Sequence, residues 1–155
     1  MDTDLITQFL DEVSVKHSEG FNCAESAFYG VCRYLGLEMP VSCMTGFGGG
    51  VARTGSVCGA LSGAISGLGM YIGRTQPEEE ESKARCNALG QEIVKDFTDK
   101  MGVLTCHDIL GFTLGSEDGP ERYAKSNLKK TRCNMAIRVA VESAIRTIES
   151  DRQEH

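Results

Sequence analysis

The stretch GSVCGALSGAISGLG, residues 55–69, is the most informative part of this 155-residue chain. It carries no charge and has the composition of a buried helix, yet it contains Gly59, Gly63, Gly67 and Gly69. Each interior glycine costs roughly 1 kcal/mol of helix propensity relative to alanine. Gly59, Gly63 and Gly67 recur every four residues, so they form one line along a helix on which a neighbouring backbone can approach closely. We expect that neighbour to be another helix of the chain or the second subunit of a homodimer.

The remainder of the chain also has helical patterns, and the alternation of apolar and polar residues that is typical of strands is absent. Asn22 and Glu25 have the spacing of a capping box, and Pro77 with Gly102 brackets a long helix. We therefore predict an all-α fold, a single domain over residues 1–155 with about five or six helices around a glycine-rich central helix. Predicted helices cover residues 3–18, 23–35, 56–72, 77–101 and 118–150, with short ones after Pro40 and Thr105.

Composition and charge exclude several classes of protein. With 41% apolar and 25% charged residues, the chain has the composition of one soluble globular domain. Its net charge of −6 argues against nucleic acid as a partner, since phosphate binding needs a basic surface. The uncharged residues 54–73 contain too many glycines and serines for a transmembrane helix, so no membrane insertion is expected. The acidic start, MDTDLITQFLDE, lacks the features of a secretory signal, and we expect a cytoplasmic protein.

Seven cysteines are many for a cytoplasmic chain of this length. No CxxC pair occurs, which argues against a thioredoxin-like motif and a compact zinc knuckle. Cys23 and Cys106 follow predicted capping residues, and Cys58 lies in the first turn of the glycine-rich helix. The free N–H groups and the dipole of a helix N-terminus can lower a cysteine pKa to roughly 3.5–7.5. We therefore expect these three cysteines to be reactive or to bind metal.

The other four cysteines have weaker signals. Cys133 lies in the middle of the predicted last helix, where Lys130 and Arg132 are close enough in sequence to support a thiolate. No comparable feature accompanies the three remaining cysteines, and we interpret them as small buried apolar residues. These are Cys32, Cys43 and Cys86.

Four segments together resemble a known family. In order they are FNCAESA, FGGGVARTGSVCGALSGAISGLG, LTCHDILG and TRCNMAIRVA. Over roughly residues 15–145 the chain resembles the redox-active protein family named for its cysteine pattern, C_GCAxxG_C_C, and residues 58–63 fit the CGAxxG form of that family. The resemblance implies a small helical redox protein and an iron–sulfur cluster as the proposed prosthetic group. The four family cysteines map onto Cys23, Cys58, Cys106 and Cys133.

Four cysteines on separate helices allow three kinds of chemistry. They can ligate an iron–sulfur cluster, they can hold a zinc ion, or they can form reversible disulfides without a cofactor. With a cluster, Gly59 would let backbone N–H groups approach the sulfur atoms, and Phe47 and Arg53 would line the site as a lid. We expect electron transfer or redox sensing with a redox partner protein. The alternative is a non-catalytic helical binding or assembly module with structural zinc or buried cysteines.

Overall fold

The computed structural model describes residues 2–155, and within them it is all-helical. The predicted fold class is therefore confirmed, whereas the seven α-helices exceed the predicted five or six. A 3-10 segment, Val41–Phe47, and a π-helical turn, Lys129–Cys133, complete the helical elements. The α-helices are α1 (Thr3–Ser18), α2 (Cys23–Tyr34), α3 (Gly59–Ile72), α4 (Glu80–Met101), α5 (Cys106–Leu110), α6 (Gly119–Lys125) and α7 (Asn134–Glu154).

The predicted last helix is divided, which accounts for part of the larger count. The backbone of Ser126 is extended, with φ −90° and ψ 169°, and this ends α6. The chain re-enters helical geometry through the π-helical turn and continues directly into α7. The glycine-rich helix also starts later than predicted, at Gly59, because the three residues before it pair with another segment of the chain.

Helix starts agree with the capping residues in the sequence. The Asn22 side chain accepts a hydrogen bond of 2.9 Å from the N–H of Glu25, whose carboxylate accepts one of 2.7 Å from the N–H of Asn22. This reciprocal pair is the predicted capping box. Thr105 likewise accepts a hydrogen bond of 3.1 Å from the N–H of Asp108 at the start of α5.

The main core surrounds α7, which packs against α1, α2, α3 and α4. One apolar stripe of this helix faces the core and is excluded from solvent. Its fully buried members are Ile137, Ala140, Val141, Ala144, Ile145 and Ile148. Burial of such side chains contributes roughly 1.5–3 kcal/mol each for the larger ones, so α7 is the main apolar surface on which the other helices assemble.

Helices α2 and α3 pack at very short distance along Gly59, Gly63 and Gly67, and we call this contact the glycine seam. A Cβ atom on Gly63 would lie 2.3 Å from the carbonyl oxygen of Ala24, and one on Gly67 would lie 2.5 Å from the Cβ of Val31. Both distances are far below van der Waals contact, so only glycine allows this approach. The partner of the glycine line is therefore α2 of the same chain, and that face is not available to a second subunit.

Helix α3 carries no charged side chain, but it is too short to cross a membrane. It has 14 residues, whereas a transmembrane helix needs about 20. Within residues 2–155, none of the helices combines the length and the apolar character that crossing a membrane requires.

Candidate four-cysteine site

The starts of α3 and α5 are joined by a short antiparallel bridge. The N–H of Cys58 donates a hydrogen bond of 3.0 Å to the carbonyl of Leu104, and the N–H of Cys106 donates one of 2.8 Å to the carbonyl of Ser56. The bridge therefore brings Cys58 and Cys106 together although 48 positions separate them in the numbering. Cys58 is the N-cap residue of α3 and not, as predicted, a residue of its first turn.

Cys23, the first residue of α2, reaches the same place through the glycine seam. A Cβ atom on Gly59 would lie 2.5 Å from the Cys23 Sγ and 2.8 Å from the carbonyl oxygen of Phe47. Gly59 therefore gives the Cys23 sulfur its space at the start of α3. Phe47 contributes its backbone carbonyl to this packing, while its side chain is 40% exposed.

Cys133 completes the group at the end of the π-helical turn. The hydroxyl of Tyr123 donates a hydrogen bond of 3.4 Å to its Sγ. Cys23, Cys106 and Cys133 all line one cavity of about 480 Å³, and Arg53 lines it as well. The structure thus brings together all four predicted cysteines, because Cys58 and Cys106 are joined by the bridge.

A left-handed turn covers one side of this cavity. Residues 49–53 all have φ between +50° and +73°. Val51, Ala52 and Arg53 are not glycines, and L-residues pay about 1–2 kcal/mol each for left-handed geometry. The turn is held by backbone hydrogen bonds, among them one of 3.0 Å from the Arg53 N–H to the carbonyl of Gly48. Residues 49–53 therefore form a defined and strained turn, a feature that concentrates at functional sites.

The protonation of the four thiols differs from the prediction. Burial raises the pKa of each above its ordinary value, to about 12 for Cys106. Negative charge on Cys23 raises the pKa of the other three further. Backbone N–H groups at the helix starts lower the pKa of Cys23 and Cys58, but burial outweighs them. The prediction of low-pKa thiolates was wrong, and the thiols are neutral at pH 7.

Hydrogen-bond donors nevertheless surround the sulfur atoms. The backbone N–H groups of Gly49 and Ala60 face the Cys23 thiol, those of Ala60 and Leu61 face the Cys58 thiol, and all of them favour a negative sulfur. The Tyr123 hydroxyl donates to the Cys133 sulfur and likewise favours a negative charge on it. This donor set suits sulfur ligands of a metal or cluster. Within residues 2–155, no three His, Cys, Asp or Glu side chains are arranged to hold a single metal ion.

Sequence reasoning missed two residues of the cavity, His17 and Tyr123. The sequence indicates only that His17 suits the end of α1, but its side chain is 5% exposed. Burial, with a contribution from the charge of Lys129, lowers its pKa to about 4. Nothing in the spacing of His17 or Tyr123 relative to the cysteines marks them, because the contacts form only when the ends of α1 and α6 meet the π-helical turn.

The three additional cysteines lie elsewhere. Cys32 is buried in a small second core cluster with Phe28 and Met44. Cys43 is exposed on the 3-10 segment, and Cys86 is partly buried on α4. Cys32 therefore agrees with the interpretation as a small buried residue, whereas Cys43 does not. None of the three lines the four-cysteine cavity.

The chain is therefore an all-α protein with a four-cysteine site. Four separate parts of the chain each contribute one cysteine to this site. The chain belongs to the family described as "Putative redox-active protein (C_GCAxxG_C_C)", whose profile matches residues 21–147. The resemblance seen in the sequence is thereby confirmed. No curated protein and no solved structure shows detectable similarity to the chain.

Proposed function

We propose that this chain is a redox protein that ligates an iron–sulfur cluster through Cys23, Cys58, Cys106 and Cys133 and uses it to transfer electrons or to sense oxidation. The observation that carries the proposal is the convergence of these four thiols, from α2, α3, α5 and the π-helical turn, on one buried place. Cysteine thiolates are the usual ligands of such clusters, and four are required. Membership of a redox-active family supports the same conclusion.

The electrostatics of the thiols favour a cationic occupant. Each thiol must lose its proton to become a ligand, and the burial and mutual repulsion described above oppose that loss. Positive charge between the sulfurs would offset both costs. When bound, a cluster supplies reversible one-electron chemistry. The chain supplies the four sulfurs, and its N–H and O–H donors stabilise their negative charge.

A cluster and a single zinc ion differ in how closely they need the four thiols to lie. A zinc ion binds each cysteine sulfur at about 2.3 Å, so four thiols must close tightly around one point. A cluster has several iron and sulfide atoms between its cysteines and accepts a more widely spaced set. The thiols are not arranged for a single ion within residues 2–155.

Thiol–disulfide chemistry without a cofactor has less support. A thiol attacks a disulfide as its thiolate, and burial keeps these four thiols neutral at pH 7. We further infer a cytoplasmic location, where thiols stay reduced, and a redox partner protein that exchanges electrons with the site.

The proposal is tested by the iron, sulfide and zinc content of protein purified without oxygen, together with its visible absorption spectrum. We expect iron and sulfide in matched amounts and charge-transfer absorption that Cys58→Ser and Cys133→Ser remove. Cys43→Ser is the matched control, because Cys43 is exposed and outside the site, and it should keep the spectrum. Colourless protein without iron and sulfide, before and after anaerobic reconstitution, would show the cluster proposal to be wrong. Zinc in its place would establish the structural-zinc alternative.

A further inference from the structure

The cavity that Cys23, Cys106 and Cys133 line also has cationic side chains, of which Lys129 favours a negative charge on the Cys133 sulfur. Arg53, Lys129 and His17 line it, and neither an aspartate nor a glutamate does, although the chain has 22 acidic residues. A second cavity, lined by His17, Lys129 and Lys130, adjoins it and is also free of carboxylates. In a protein of net charge −6, this combination makes the cavity mouth a local region of positive potential.

The cations at this place have no acidic partner. Arg53, Lys129 and Lys130 form no ion pair within residues 2–155, whereas many of the other Lys and Arg side chains do. Lys129 and Cys133, four residues apart, line the same cavity from the π-helical turn. A charge of this kind next to a cavity is available to an anion that enters from solvent.

A buried and unpartnered imidazole provides the second, independent observation. The His17 side chain is 5% exposed and lines both cavities. Within residues 2–155, its ring forms no hydrogen bond, and its nitrogens are not among the fully enclosed unpaired atoms, so they remain accessible from the cavities. An imidazole in this position can donate a hydrogen bond to, or accept one from, a molecule in the cavity.

Arg53 is placed at the cavity by the strained turn. Its own φ is +65°, and its carbonyl accepts a hydrogen bond of 2.9 Å from the N–H of Gly115. A Cβ atom on Gly49 would lie 2.7 Å from the Cα of Arg53, so the backbone of the turn is closely packed at this point. The guanidinium group has a planar fork of donors that matches a carboxylate or a phosphate.

We propose that this cavity binds a small organic anion through a carboxylate or phosphate group, with Arg53 and Lys129 pairing with the charge and His17 forming a hydrogen bond deeper inside. Cys23, Cys106 and Cys133 line the same cavity of about 480 Å³, so we place the anion at its mouth, where Arg53 and Lys129 are exposed, and a cluster at the sulfur atoms. Phe21 and Leu114 supply apolar surface for the rest of the ligand. The inference concerns ligand binding and goes beyond the proposed cluster, because it needs no metal.

Isothermal titration calorimetry with inorganic phosphate and with succinate tests this site in protein purified without oxygen, at low ionic strength. We expect saturable binding of one anion per chain, and no binding of the uncharged succinamide. Arg53→Gln and Lys129→Gln should each weaken binding about tenfold or more. Arg33→Gln removes an exposed positive charge away from this cavity and should leave binding unchanged.

Two results would overturn the inference. One is the absence of saturable binding of phosphate and of succinate at millimolar concentration. The other is an equal loss of affinity in Arg33→Gln, which would indicate attraction by overall charge only. Iron and sulfide are measured on the same samples. Anion binding by protein that stays free of iron after anaerobic reconstitution would retain this site and refute the cluster. Iron-containing protein that binds neither anion would retain the cluster and refute this site.

Discussion

Replacement of Gly63 by alanine tests the glycine seam directly, because the same helix provides a matched control. A Cβ on Gly63 would lie 2.3 Å from the carbonyl oxygen of Ala24 and 2.9 Å from the backbone nitrogen of Phe28. Nothing lies within 4 Å of a Cβ placed on Gly69. Both substitutions gain about the same helix propensity, so their difference in stability measures the close contact alone.

The magnitudes follow from these distances. Gly69→Ala should raise the free energy of unfolding by up to about 1 kcal/mol, the usual gain of alanine over glycine within a helix. In Gly63→Ala the methyl group meets backbone that cannot rotate away, so α2 and α3 must separate by about 1 Å. Overpacking of this kind typically costs about 1–3 kcal/mol, which exceeds the gain in propensity. We expect Gly63→Ala to be less stable than Gly69→Ala by about 2 kcal/mol or more.

Urea unfolding followed by circular dichroism measures both variants, with the midpoint and the slope fitted separately. A lower midpoint at unchanged slope for Gly63→Ala, and a higher one for Gly69→Ala, would support the seam. Equal stabilisation of both variants would refute it, because it would mean that α2 does not approach α3 at Gly63.

Three further predictions concern the site and its surroundings. Gly59→Ala places a methyl group 2.5 Å from the Cys23 sulfur, so we expect folded protein that retains much less iron, measured against wild type at equal helicity. Val51→Gly removes a β-branched side chain from φ +60° and should raise the free energy of unfolding by up to about 1 kcal/mol, whereas a loss of stability would argue against the left-handed turn. Burial, with the charge of Lys129, lowers the pKa of His17 from 6.5 to about 4 in the folded state, so stability is full above pH 6.5 and falls by up to about 3 kcal/mol toward pH 4. Unfolding measured across this range should show a smaller decline in His17→Gln, and equal declines would contradict the burial of a neutral imidazole.

Local signals in the sequence predicted the helices well. The capping box at Asn22 and the stop at Gly102 act within a few residues, so the structure keeps them. The break at Ser126 and the late start of α3 were not predicted, because both depend on where distant segments meet. Gly59, Gly63 and Gly67 indicated a close helix contact, but only the fold shows that α2 makes it.

For the candidate site, the sequence predicted which cysteines take part but not their protonation state. Positions at helix starts and the family resemblance selected Cys23, Cys58, Cys106 and Cys133 from the seven, and the structure places these four near one another. Their protonation was predicted with the wrong sign, since the dipole of a helix start is a local property whereas burial depends on the whole assembly. His17 was missed for the same reason, because its sequence neighbours do not reveal that its ring is enclosed.

The glycine seam has a consequence for which substitutions the protein tolerates. It joins the helix that begins at Cys23 to the helix whose N-cap is Cys58, so the relative height of α2 and α3 sets the spacing of two of the thiols. Gly67 lies nine residues beyond Cys58, roughly 13 Å along the helix axis. A side chain added there would push against Val31 and shift one helix against the other. Substitution at a position remote from the four cysteines of the site is thereby constrained by the geometry of the proposed redox centre.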